Sequence, residues 1–158
     1  MHHYFSSKEQ LFVATVNVDL DVTTVLGNVL ASDPDEFGRN LIRAIVTVWD
    51  SDAGPGLIAA IRTALGDPTV GAAVREFVAT AILGTVAVSL RLTSDEGPRR
   101  TGLVASQIIG VVVARYLFRF EPMASMSADE LAEAVGPTIQ RYLTGPMSAP
   151  DGSLETQG

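Results

Sequence analysis

Few residues in this chain have side chains suited to chemistry, and their spacing rules out most of it. His2 and His3 are the only histidines. Neighbours on a helix point about 100° apart, so the pair cannot hold a metal as two histidines four residues apart would. A structural or DNA-facing role, or the remnant of a purification tag, accounts for them better. Gly54-Pro55-Gly56 precedes a helical stretch but lacks the lysine and the spacing of a phosphate-binding loop. Asp50-Ser51-Asp52 is a helix-ending turn, too short for a calcium loop. The acid pairs Asp95-Glu96 and Asp129-Glu130 fall at helix starts, where the helix dipole explains them. With no cysteine there is neither a thiolate nor a disulfide framework, which suits a reducing cytoplasm. No catalytic motif, metal set or cofactor fingerprint remains, and an enzyme is not expected.

What is left is non-covalent binding. Pockets between helices are mostly apolar and carry a few placed polar groups. Trp49, Arg62, Phe77, Gln107 and Tyr116 are the candidates for such a lining. Each also has an ordinary role open to it: Trp49 and Phe77 in a core, Arg62 on a solvated face, Gln107 and Tyr116 as polar groups satisfied at a subunit interface. A pocket beside Trp49 would lie between the helix expected over 35–50 and the two long helices after it, and would take a small, largely apolar molecule.

Helices must position these residues, because helical punctuation runs from end to end and nothing reads as a sheet. Ser7 followed by Gln10 forms a capping box, opening a helix over 7–17, and a second helix spans 21–31. Asp35 is the expected N-cap of a third, in which Phe37, Leu41, Ala44, Ile45, Val48 and Trp49 recur at helical spacing. After a turn over 50–56, Leu57, Ile58, Ile61 and Leu65 mark a short amphipathic helix stopped by Gly66. Asp67-Pro68 supplies an N-cap and an N1 proline for a long helix to residue 92. A second long helix is expected over 99–120, ended by Pro122, and Ser127 with Glu130 caps the last, to residue 143. The fold class is therefore all-α, a bundle of about seven helices.

Along the helix over 99–120, Gly102, Ser106, Gly110 and Ala114 form a stripe of small side chains that lets another helix approach closely. Leu103, Val104, Ile108, Val111, Val112 and Leu117 leave that helix no broad polar face. A partner subunit is the economical explanation, with Gly102, Ser106, Ile108, Gly110, Val111 and Ala114 as the expected interface. The alternative is the central helix of a monomeric bundle.

Composition sets independent bounds. At 158 residues the chain can bury a core of roughly 70% of its unfolded surface. A net charge of −7 with 11 basic residues has the wrong sign for a protein whose main surface faces nucleic acid. The most apolar windows, 77–90 and 101–114, are bounded by Glu76 and Arg91 and by Arg100 and Arg115. Each falls short of the roughly 20 residues a bilayer requires, so core and interface are expected and a membrane is not. Met1 is followed by histidines and aromatics, unlike a secretory signal.

The opening run His2-His3-Tyr4-Phe5-Ser6-Ser7-Lys8-Glu9-Gln10-Leu11-Phe12 resembles the close of the DNA-binding domain in the TetR family of bacterial repressors. There an aromatic/histidine pair, a Phe, a small residue, Ser-Lys-Glu and an apolar pair follow the recognition helix. Further resemblance lies in the Trp-containing stretch 44–50, Arg75-Glu76-Phe77, Ala105-Ser106-Gln107, Ala114-Arg115-Tyr116 and the close Gln140-Arg141-Tyr142-Leu143-Thr144-Gly145. The resemblance implies that residues 1–17 are the remnant of a helix-turn-helix domain and that 18–145 form a ligand-binding and dimerisation domain, while the Pro-, Gly- and Ser-rich composition after Gly145 makes 146–158 an expected disordered tail. It implies a homodimer in which the helices over 68–92 and 99–120 pair across a two-fold axis into a four-helix interface. It implies that His3, Tyr4 and Lys8 hold the DNA backbone, while the base-reading residues would lie before Met1, so that DNA is a partner only with the missing helices present. The expected protein is a cytoplasmic TetR-type regulator that senses a small molecule without a cofactor. A DNA-free dimerisation protein and a small-molecule carrier are the competing readings, which a complete helix-turn-helix encoded in frame upstream would disfavour.

Overall fold

A computed structural model describes residues 22–92 and 95–147. The helix expected over 7–17, together with His3, Tyr4 and Lys8, lies outside the described residues, as does the tail from 148 onward. The described residues form six helices and no strand. These are α1 (Val22–Leu30), α2 (Phe37–Asp50), α3 (Gly54–Gly66), α4 (Pro68–Ser89), α5 (Glu96–Val112, continued by a wider π-helical segment, Val113–Leu117) and α6 (Ala128–Thr144). The middle of α4, Val78–Leu83, is also π-helical.

The core sits where α2, α5 and α6 meet. Leu131, Val135, Ile139 and Leu143 recur every four residues on α6 and present one apolar stripe to Phe37, Leu41, Ile42 and Val46 of α2, while Val104 and Val111 close the cluster from α5. Ile42, Val46 and Ile139 have no exposed surface. Glycines let α2 and α6 touch backbone to backbone. A Cβ on Gly38 would collide with the Gly136 carbonyl oxygen and stand 2.8 Å from the Gln140 nitrogen, and one on Gly136 would stand 2.8 Å from the Arg39 Cα. The Gln140 side chain fastens the same crossing, accepting from the Gly38 N–H and donating to the Pro34 carbonyl, both at 2.9 Å. Around its rim Arg43 meets Asp129 at 2.8 Å and Arg39 meets Glu133 at 3.2 Å. Arg100, at the start of α5, donates to the Tyr142 and Gly145 carbonyls at 2.9 Å and so ties α5 to the end of α6.

Ser127 and Glu130 form the expected reciprocal capping box of α6, and Asp67 caps α4 through the Thr69 and Val70 N–H groups. Other boundaries move. Asp35 does not cap α2: Asp33 caps a 3-10 turn over Pro34–Glu36 by accepting from the Asp35 N–H, and Glu36 stands at the N-cap position of α2 with no side-chain capping bond. The turn expected over 50–56 is shorter, because α3 starts at Gly54 with Pro55 in its first turn, where a missing N–H costs nothing. The second long helix starts at Glu96 and ends at Leu117, before Pro122. The apolar window over 77–90 falls within α4, which runs through Glu76 as the expected long helix does. At 22 residues α4 is long and apolar enough to cross a membrane by length and composition, and 17% of its most apolar window is buried.

Candidate functional site

At the C-terminal end of α2, four side chains interlock. Trp49 stacks on Tyr116 of α5, ring centroids 5.3 Å apart and 25° from parallel. The Tyr116 hydroxyl donates to Asp50 Oδ1 at 2.8 Å, and Arg115 Nη2 approaches Asp50 Oδ2 at 3.4 Å. Arg115 is only 9% exposed, and its Nη1 donates to the carbonyls of Met123 and Met126 at 2.6 and 2.7 Å. One guanidinium thus joins α2, α5 and the segment leading into α6, while its Nε is buried with no acceptor among the described residues. The π-helical widening over Val113–Leu117 brings the successive residues Arg115 and Tyr116 both to Asp50. Gly54 allows the tight turn after Asp50, because a Cβ there would meet the Trp49 carbonyl oxygen. Burial pushes the Tyr116 hydroxyl up to about 12 from 10.0, its hydrogen bond to Asp50 acts the same way, and the neighbouring Arg115 opposes both.

Beside this cluster, α3 and α4 pack on each other more than on the core. Gly54 is the only residue that α3 buries, and the π-helical middle of α4 buries none. Leu57, Ile58 and Ile61 of α3 and Phe77, Ile82 and Leu83 of α4 are half-buried.

A second feature lies along α5. An open groove of about 600 Å³ is lined by Ser106, Ile109, Gly110 and Ala114, and Phe118 and Phe120 stand at its end. Those two rings stack at 5.6 Å. Arg119 between them takes a left-handed backbone, φ 54°, and the Phe120 N–H donates to the Ala114 carbonyl at 2.9 Å. Among the described residues no group of three or more His, Cys, Asp or Glu is placed to hold a metal ion.

Residues 35–143 match the family described as the tetracyclin repressor-like C-terminal domain, more than half of the chain. The chain belongs to this TetR-type family. The fold agrees: a crystal structure of a TetR-family regulator from Streptomyces coelicolor A3 superposes with a TM-score of 0.57 at 24% identity, over 88% of this chain and 92% of that one. No curated protein matches.

Of the five candidate pocket residues of this TetR-type domain, the structure brings Trp49 and Tyr116 together. Phe77 and Gln107 are half-buried on α4 and α5, and Arg62 is exposed on α3. Of the six expected interface residues, Gly102, Ser106 and Gly110 are exposed and Ala114 is half-buried. Ile108 packs against the core, and Val111, 4% exposed, belongs to it. Position 111 lies about 100° round the helix from Gly110, and this turns its side chain inward. Sequence reasoning missed Asp50 and Arg115. A signal was available: Val104, Ile108, Val111 and Arg115 fall at core spacing on one face of α5, and an arginine on such a stripe needs buried partners.

Proposed function

We propose that the chain is the ligand-sensing and dimerisation part of a TetR-type transcriptional regulator, cytoplasmic, homodimeric and without catalytic activity. Its ligand is a small, largely apolar molecule taken up beside Trp49, between α2 and the α3–α4 hairpin. The observation that carries this reading is the half-buried state of the hairpin's apolar row, Leu57, Ile58, Ile61, Phe77, Ile82 and Leu83, next to a tightly packed α2–α5–α6 core. Side chains meant only to fill a core would be fully covered, as Ile42 and Ile139 are. Family membership supports the regulatory role. Ligand binding to one arrangement of the helices would shift the population of states and so change the spacing of two DNA-reading heads, given a complete helix-turn-helix.

Because Trp49 is the single tryptophan, its fluorescence reports on this place alone. Titration with anilinonaphthalene sulfonate and with a library of apolar compounds is expected to shift Trp49 emission and to raise the melting temperature with concentration. Neither response across the library would remove the sensing role and leave a dimerisation protein.

A further inference from the structure

The buried guanidinium of Arg115 is satisfied on one side only. A guanidinium is planar, and its Nε–H points along the same edge as one Nη2–H, a fork that matches the two oxygens of a carboxylate. Asp50 faces Arg115 without filling that fork: Oδ2 reaches Nη2 at 3.4 Å, and Nε is buried with no acceptor among the described residues. Charge-assisted contacts of this kind close to about 2.7–2.9 Å when nothing holds them apart. Nη1, by contrast, has both the Met123 and Met126 carbonyls, which fix the guanidinium in place.

Tyr116 is what holds Asp50 back. Its hydroxyl takes Oδ1 at 2.8 Å, so the carboxylate is divided between a phenol and one N–H of the arginine. The Tyr116 ring is itself steadied by its stack on Trp49. Asp50 is free to change partners, because it is the last residue of α2 and its side chain is 49% exposed. We propose that Asp50 is a two-position latch, shared with Tyr116 in the state described and closed as a fork on Arg115 Nε and Nη2 once the hydroxyl withdraws. In the closed position the end of α2 is drawn onto the guanidinium that also holds the segment before α6. The latch stands on these contacts alone, whereas its trigger rests on the sensing role proposed above: a molecule entering beside Trp49 parts the Trp49–Tyr116 stack and so releases the hydroxyl.

The test follows the Arg115 Nε–H proton by nuclear magnetic resonance in the full nitrogen-15-labelled chain, its signal assigned by its loss in Arg115→Lys. Tyr116→Phe removes the hydroxyl and keeps the ring, whereas Trp49→Leu removes the stack and keeps the hydroxyl. Both are expected to move the Nε–H signal downfield, as an N–H that gains a carboxylate does. An unmoved signal in Tyr116→Phe overturns the latch. A shift in Tyr116→Phe with none in Trp49→Leu keeps the latch and overturns its coupling to the place beside Trp49. If Trp49 emission answers no compound in the titration above, the sensing role falls, and the two variants still decide the latch. A second measurement needs no resonance. Asp50→Asn is expected to raise the unfolding equilibrium constant about 10-fold more in the Tyr116→Phe background than in the parent, because the full fork is then lost. An equal or smaller effect in that background overturns the latch.

Discussion

Arg115 joins three parts of the fold through one guanidinium. Its Nη1 holds two main-chain carbonyls of the segment before α6, and its Nη2 faces Asp50. Replacing it with Met keeps the bulk and removes the donors, leaving the Met123 and Met126 carbonyls without them. The expected cost is about 2–4 kcal/mol, read as a lower urea midpoint at unchanged slope. Tyr116 gives a separate handle through pH. Its hydroxyl is held protonated up to about 12 in the fold but ionises near 10.0 when unfolded, so its contribution is complete below pH 10 and is lost as pH rises through 12. Tyr116→Phe should therefore flatten the fall in stability over that window, and ultraviolet titration should show the latest phenol step missing. Trp49 and Tyr116 were legible as residues of interest because amphipathic aromatics are few in this chain. Their partnership was not, because it depends on the π-helical turn that brings Arg115 and Tyr116 to one carboxylate, and no residue type announces such a turn.

Elements were legible wherever a cap chemistry is local. Ser127 with Glu130, and Asp67 with Pro68, are recognisable because the groups that satisfy one another lie within three residues. Asp33 and Asp35 both precede α2, and local sequence could not show that a 3-10 turn over Pro34–Glu36, capped by Asp33, stands between them and Phe37. The α2–α6 crossing was invisible for the opposite reason, since Gly38 and Gly136 are 98 residues apart in sequence and acquire meaning only when their backbones meet. Gly38→Ala must push the Gly136 carbonyl away, and overpacking of a close contact costs about 1–3 kcal/mol or more. Gly27→Ala, in α1 with open space above its Cα, should instead gain about 0.5–1 kcal/mol from helix propensity. Thermal melts of the two variants should therefore move in opposite directions from the parent, and equal shifts would contradict this account of the crossing.

At the scale of the whole molecule, the packing divides α5 between two duties. Val104, Val111 and Arg115 face their own subunit, whereas Gly102, Ser106, Ile109 and Gly110 are left uncovered or half-covered on the other side. A helix with apolar residues on nearly every side is explained if the second face is covered too, and the proposed dimer would supply that cover. Gly110 separates this account from a monomeric one by the sign of a single effect. In an isolated subunit a Cβ at Gly110 meets nothing within 4 Å, so Gly110→Leu should stabilise the helix by about 0.5–1 kcal/mol. In a two-fold dimer the same leucine enters the close contact twice, at about 1–3 kcal/mol each, so association should weaken by at least roughly 30-fold. Melting temperature as a function of protein concentration reads both effects at once, because only a dimer melts higher when concentrated. The parent is expected to show that dependence and Gly110→Leu to lose it, melting below the parent at high concentration and at or above it at high dilution. A Gly110→Leu protein that melts higher at every concentration would mean that nothing packs against this face of α5.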